Sequence, residues 1–214
     1  MKTPLCLLFL STSLLPVTAQ EYMGMESYEE EPETRLFGSI ASPVVFPDGD
    51  DWDYSAGIEG RLGITLGRGL RIYGLLGYSY WYTEGDAWID GFDSEGVEGD
   101  AGVFSVGGGI EYMVEINPSH SFSFGANYQY QYVDSHVDYN FSTPFLIERE
   151  KIHIDDASAV YAGVDYYFHY NPSVALSFGL GYLFNIDTAG VSFQGEHVKD
   201  TKFEGFTLRV GAEF

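Results

Sequence analysis

The chain has 214 residues, of which 45% are hydrophobic and 17% aromatic, and its 10 basic residues are outnumbered by 32 acidic ones. This composition is too apolar for a disordered protein, and the length suits one domain. A net charge of −22 argues against a surface that binds nucleic acid.

The first 19 residues are predicted to be a cleavable signal peptide. A positive charge at Lys2 precedes the apolar run 5–15, and Val17-Thr18-Ala19 matches a small-x-small cleavage site. The run is too short to cross a membrane as a helix. The only cysteine, Cys6, lies in this segment, so we expect no disulfide, metal thiolate or catalytic thiol in the exported protein.

Residues 20–33 carry six glutamates and no basic residue, and they are predicted to be a disordered acidic arm. From residue 34 onward, apolar and polar residues alternate with the period of a β-strand. Pro43 would remove one ladder hydrogen bond from the first strand. Eight strands are predicted: 34–46, 54–66, 70–82, 101–116, 121–133, 157–170, 174–186 and 203–214.

The predicted connections alternate between tight turns and long polar loops. The tight turns are 67–69, 117–120 and 171–173, and the loops are 47–53, 84–100, 134–156 and 187–202. Antiparallel neighbours joined in this way place all tight turns at one end and all long loops at the other. The segments NPSHSFSFGANY (117–128) and NPSVALSFGLGY (171–182) are similar, through a duplicated hairpin or by chance.

Every predicted strand has one apolar face, and its residues fall on even numbers. In SFSFGANYQYQYV (121–133), for example, Phe122, Phe124 and Tyr128 alternate with serine, glycine and asparagine. A soluble barrel would turn this face inward, whereas an outer-membrane barrel would turn it toward lipid.

Three observations favour the lipid-facing orientation. The large apolar side chains would not fit inside an eight-stranded barrel, whereas the odd positions are rich in glycine and serine. The even positions between the strand ends carry no charged residue, as a bilayer requires. Aromatic residues concentrate toward both ends of the strands, for example in 78–82 and 166–170, as in interfacial belts.

The sequence combines a predicted signal peptide, eight alternating strands, tight turns opposite long loops and a last strand FTLRVGAEF. In this combination, residues 34–214 resemble the small outer-membrane β-barrel proteins of Gram-negative bacteria, the OmpA/OmpX-like group. The resemblance implies an all-β, eight-stranded, antiparallel up-and-down transmembrane β-barrel with its long loops outside the cell. It also implies contacts with outer-membrane lipid, lipopolysaccharide and the barrel-assembly machinery, which would read Leu208, Val210 and Phe214. A monomer without a cofactor is expected.

Charged residues at odd positions are predicted to form a network in the lumen: Glu59, Arg61, Arg71, Glu111, Glu115, Asp165, Arg209 and Glu213. Four of them should lie at one depth: Arg61, Glu111, Asp165 and Arg209. Arg71, Glu115 and Glu213, with Arg35 and His169, form a second level nearer the tight turns. Buried charges require such neutralisation, so we interpret the network as a plug. The alternative is a gated, low-conductance, porin-like channel lined by the same groups.

Some barrels similar to this group modify lipid A with a histidine, a serine and an acid. Here His136 follows Asp134-Ser135, and His153 precedes Asp155-Asp156, but triads are recognised by geometry rather than by sequence proximity. We therefore expect a non-enzymatic, structural or adhesin-like role through the long acidic loops, with lipid A modification as the less favoured alternative.

Loop 84–100 carries seven acidic residues and no basic one. Within it, Trp88, Ile89 and Phe92 are candidates for contact with a surface ligand or a host protein. Loop 47–53 contains four aspartates. Neither loop matches the calcium-binding consensus, so no metal site is predicted.

Overall fold

The computed structural model of the protein describes residues 34–49, 51–67, 69–85, 97–143 and 146–214. The predicted signal peptide (1–19), the acidic arm (20–33) and the contact candidates Trp88, Ile89 and Phe92 lie outside these residues. No helix in the described ranges is long and apolar enough to cross a membrane. The described ranges contain the strands β1 (Arg35–Pro47), β2 (Tyr54–Leu66), β3 (Leu70–Gly85), β4 (Val97–Asn117), β5 (His120–Thr143), β6 (Leu146–Ile154), β7 (Ala157–Asn171), β8 (Val174–Asn185), β9 (Ala189–Phe193), β10 (Glu196–Thr201) and β11 (Gly205–Glu213).

Eight of these strands close a barrel in the order β1-β2-β3-β4-β5-β7-β8-β11, and β11 pairs again with β1. Every pairing is antiparallel. The predicted all-β, eight-stranded antiparallel barrel is therefore confirmed. The end that carries the tight turns is called the turn end here, and the opposite end is called the loop end.

Pro43 leaves a local gap in the barrel wall without ending its strand. The β1–β2 ladder is interrupted at Ser42 and Pro43 and resumes in the same register, whereas Pro43 still pairs with Arg209 of β11. The Ser42 hydroxyl donates to the carbonyl oxygen of Gly57 at 2.9 Å. This side-chain bond reconnects the two strands where proline cannot donate.

The two Asn-Pro-Ser turns share one geometry. In each, the serine N–H donates to the asparagine Oδ1 two residues earlier, at 3.0 Å for Asn117 and 2.8 Å for Asn171. Such Asx turns replace one backbone turn hydrogen bond by a side-chain bond. Each turn also follows a register shift at the end of its strand.

The prediction that 134–156 and 187–202 are loops was wrong. β5 continues to Thr143 and pairs with β6, β6 pairs with β9, and β9 pairs with β10. We call this extension of the barrel wall the loop-end sheet. The sequence analysis missed this sheet because its segments are polar overall. One of its faces is charged, whereas Ile152, Ile154 and Val191 on the other face are buried.

The parity of the exposed residues shows which face of the barrel is outside. Every large hydrophobic residue that is exposed in the described ranges has an even number; Leu62 is 71% exposed and Leu180 is 54% exposed. Odd-numbered neighbours such as Leu75 and Tyr167 are each only 3% exposed. The apolar face is outward, as predicted, and forms the band that a bilayer would cover.

Candidate functional site

The centre and turn end of the lumen contain a single ion-pair network, which we call the charged layer. Its members are Glu59, Arg61, Arg71, Glu111, Asp165, Arg209 and Glu213, all of them buried. The three arginines and four carboxylates come from five different barrel strands. This composition nearly neutralises the charge inside the barrel, as burial of ionised groups requires.

Glu59 joins two arginines at the centre of the charged layer. Its Oε1 accepts from Arg61 Nε at 2.8 Å and from Arg209 Nη2 at 3.0 Å. Asp165 Oδ2 lies 3.6 Å from Nη1 of each of the same two arginines. The like charges of Arg61 and Arg209 are thus held together by two shared carboxylates.

Arg71 and Glu213 form the strongest pair near the turn end. Arg71 Nη1 and Nη2 donate to the two carboxylate oxygens of Glu213 at 2.8 and 2.7 Å, the bidentate geometry of strong arginine–carboxylate pairs. Arg71 Nη1 also reaches Glu111 Oε1 at 3.1 Å, and Glu111 Oε2 lies 3.5 Å from Arg61 Nη1. Glu111 therefore links the two levels of the sequence prediction into one network.

Three residues of the predicted second level lie apart from the charged layer. Glu115 and Arg35 are exposed at the turn end. His169 Nε2 is 2.7 Å from the hydroxyl of Ser121. Glu115 was expected inside the network, but β4 extends to Asn117, and its last turn-end residues are exposed.

Aromatic rings at odd positions surround the arginines, and sequence reasoning missed them. The guanidinium of Arg61 lies 4.8 Å from the ring centroid of Tyr73, and that of Arg209 lies 5.0 Å from Tyr161. Arg71 lies 4.5 Å from the ring centroid of Phe37. Such cation–π contacts add attraction to desolvated arginines. The available signal was the odd number of these rings, because most of the other strand aromatics have even numbers.

Gly179 is necessary for the charged layer to pack. It pairs with Asp165 on one side and with Arg209 on the other. A methyl group at this position would overlap the Asp165 carboxylate and lie 3.2 Å from Cβ of Arg209. The small residue thus makes room for an ion pair between its two neighbouring strands.

A cavity of about 50 Å³ lies between the charged layer and the loop end. Ser105, Gln131, Thr207 and Arg209 line it, together with Trp81. Gln131 Oε1 and Arg209 Nε are buried and have no hydrogen-bond partner among the described residues. The volume suits a few water molecules, which would supply hydrogen-bond partners to these two atoms.

Three aromatic side chains close the barrel above this cavity, and we call them the aromatic cap. Trp52 comes from the β1–β2 connection, Trp81 from β3 and Phe203 from the segment before β11. Their ring centroids are 5.2–6.1 Å apart, and none of the three is more than 4% exposed. Buried residues of the loop-end sheet, including Val191, pack in the same cluster. The cap was not predicted, since Trp52 lies in an aspartate-rich segment.

The segment that carries Trp52 is fastened to the loop-end sheet. Asp51 accepts from Lys199 Nζ at 2.5 Å and from the Thr201 hydroxyl at 2.7 Å, both on β10. The backbone N–H of Asp53 donates to the carbonyl of Tyr82 at 2.9 Å. Asp51 is therefore a structural residue that holds the aromatic cap in place.

The two candidate catalytic histidines do not form triads. His136 Nδ1 lies 3.9 Å from Asp100, and His153 Nε2 lies 3.4 Å from Asp155. Ser135, the serine beside His136, donates its hydroxyl to the backbone carbonyl of Ile152 at 2.8 Å instead. Ser135 is therefore not oriented as a nucleophile activated by His136.

The candidate assembly residues Leu208, Val210 and Phe214 all point outward. The backbone of Phe214 exchanges two 2.8 Å hydrogen bonds with Gly38 and so completes the seam between β11 and β1. Recognition of these residues by the barrel-assembly machinery remains a prediction.

No family model matches the sequence, and no curated protein is significantly similar to it. Among solved structures, the outer membrane protein OprG from Pseudomonas aeruginosa aligns with a TM-score of 0.61 at 10% identity, over 83% of this chain and 94% of its own. A major outer membrane protein from Thermus thermophilus aligns with a TM-score of 0.50 at 14% identity, over 84% of this chain and 99% of its own. Neisserial surface protein A aligns with a TM-score of 0.47 at 10% identity, over 85% of this chain and 97% of its own. The chain therefore has the fold of the small, eight-stranded outer-membrane β-barrel proteins.

Proposed function

We propose that the protein is a non-conducting outer-membrane barrel with a structural or adhesin-like role, which it performs through the loop-end sheet and the acidic loops. The observation that carries this proposal is the filled lumen. The charged layer, a cavity of only about 50 Å³ and the aromatic cap follow one another along the bore. A barrel filled in this way serves as a rigid support for what lies above it.

Conductance in a planar lipid bilayer tests the first part of this proposal. The full chain, refolded in detergent and shown to be folded by its heat-modifiable gel mobility, should insert without producing conductance steps. Steady, reproducible conductance steps from the unmodified protein would contradict a plugged lumen and support the low-conductance channel. The lining of that channel would include residues of the cavity, such as Gln131.

Binding by intact cells tests the adhesin-like part. An acidic surface favours partners of opposite charge, so we expect cells that display the protein to adhere to a surface coated with lysozyme, a basic protein, more than to one coated with albumin. Replacement of 189–201 by a short turn should remove the difference and leave the barrel folded. Equal adhesion with and without the protein would leave only the structural role.

The geometry around His136 also supports a non-enzymatic role, because the hydroxyl of the neighbouring Ser135 donates to the backbone carbonyl of Ile152 and not to the histidine. Lipid A from cells that express the protein should therefore keep its mass. A mass change that His136→Ala or His153→Ala abolishes would contradict this expectation.

A further inference from the structure

The outward face of the loop-end sheet contains a histidine-rich row. His153 of β6 and His197 of β10 are both cross-strand partners of Ser192 on β9, which lies between them. Residues directly opposite each other in an antiparallel sheet point to the same face. A register shift between His197 and Lys199 also brings Asp200 to this face.

A second row, of acidic residues, runs beside the first. The backbone N–H of Asp155 donates to the carbonyl of Gly190 at 2.9 Å, and Asp200 pairs with Gly190 from the other side. Asp155 Oδ1 is 3.4 Å from His153 Nε2, and Asp200 Oδ1 is 3.5 Å from His197 Nε2. Two histidine–aspartate pairs thus face each other across β9.

The small residues of β9 leave space between the two pairs. A Cβ atom on Gly190 would lie 2.6 Å from Oδ2 of Asp155 and 3.6 Å from Nδ1 of His197. A carboxylate of one pair and an imidazole of the other therefore already lean over the same point of the backbone. All four side chains are more than half exposed, so they can rotate without disturbing the core.

We propose that His153, Asp155, His197 and Asp200 bind one divalent transition-metal ion, such as Zn²⁺, above Gly190. Imidazole and carboxylate are the side chains that Zn²⁺, Cu²⁺ and Ni²⁺ select in four-coordinate sites. No three described side chains form an assembled metal group in this structure, so the ion would draw the two pairs together by side-chain rotation. The sequence prediction of no metal considered a continuous calcium loop, whereas these four residues come from two strands, β6 and β10, and the residue that follows β6.

Calorimetric titration of Zn²⁺ into the refolded full chain at pH 7.5 tests the proposal, with heat-modifiable mobility as the folding check for every variant. We expect one ion per chain, and a loss of affinity of at least about tenfold in His153→Ala and in His197→Ala. Binding should weaken on acidification, because protons compete with the metal ion for its ligands.

Two matched variants test the geometry. Gly190→Ala keeps all four ligands but fills the space beneath the ion, so it should weaken binding. His120→Ala should bind like the unmodified chain, because His120 begins β5 at the turn end and contacts Tyr166 there. Equal loss of affinity in His120→Ala, equal binding of Ca²⁺ and Zn²⁺, or the absence of saturable binding would each overturn the proposal.

Discussion

Glu59 shows how single residues determine the interior of this barrel. One of its oxygens accepts hydrogen bonds from both Arg61 and Arg209, so the two arginines depend on the same carboxylate. Removing one partner from such a set leaves a charge buried and uncompensated, which costs far more than the ion pair contributes net. The identities of these residues are therefore tightly coupled.

Arg209→Ala should destabilise the barrel by about 3–5 kcal/mol, because Glu59 and Asp165 both lose a buried partner. The measurement is the free energy of unfolding in urea, with the protein in lipid vesicles. The double variant Arg209→Ala/Glu59→Gln should recover part of the loss by removing one stranded charge. Near-normal stability of Arg209→Ala would contradict the network.

Gly179→Ala should also destabilise the barrel, by about 1–3 kcal/mol, because the added methyl group displaces the Asp165 carboxylate. Gly74→Ala is the matched control, since a Cβ there would have no neighbour closer than 3.9 Å. The comparison uses the same urea titration. Equal effects of the two substitutions would show that lost glycine flexibility, and not the ion pair, determines the result.

At the scale of elements, the sequence predicted the features that depend only on the alternation of apolar and polar residues. Period two revealed all eight barrel strands and their outward face, because lipid constrains every even position in the same way. It failed for β6, β9 and β10, which lie beyond the membrane, where a short strand such as EHVKDT needs only one or two apolar contacts. The charged layer was predictable from parity. Trp52, in contrast, lies in a connection between strands, where the alternation gives no information about which side chains point inward.

Val191→Asp should unfold the loop-end sheet and leave the barrel intact, because it places a charge at a fully buried position in the cluster that contains the aromatic cap. Ser192→Asp, on the opposite face of β9, should be tolerated. Limited proteolysis should cut only the first variant between 134 and 202, whereas both should keep heat-modifiable mobility. Equal protection of the two variants would contradict the assigned faces.

Trp52→Ala should open the aromatic cap, since two ring contacts are lost at 5.2 and 6.1 Å. We expect the free energy of unfolding to fall by about 3–5 kcal/mol if the β1–β2 connection stays in place. The loss should be smaller if the connection, including Asp51, moves away from the barrel. Acrylamide quenching of the fluorescence of Trp81 should increase. Unchanged quenching would show that the cap does not seal this end.

At the scale of the whole molecule, the surface is divided into an apolar band and polar ends. Leu180 lies near the middle of β8 and is 54% exposed on the outward face. Leu180→Arg should destabilise the barrel in vesicles by about 2–4 kcal/mol, the effect of an arginine near the bilayer midplane. Ile186→Arg, which lies just beyond the loop-end limit of β8, should destabilise the barrel much less. Similar effects of the two would contradict the position of the band.

The seam between β1 and β11 has a consequence for how the chain folds. Its partners, from Ser39 with Glu213 to Pro47 with Gly205, come from opposite ends of the described chain, whereas the tight hairpins join residues close in sequence. Contacts between distant residues form late and slowly, since the entropy of closing a long loop is lost before they stabilise the structure. Until the seam forms, β1 and β11 each present an unpaired edge, so the pairing of these two strands determines when the protein stops being vulnerable to association with other chains.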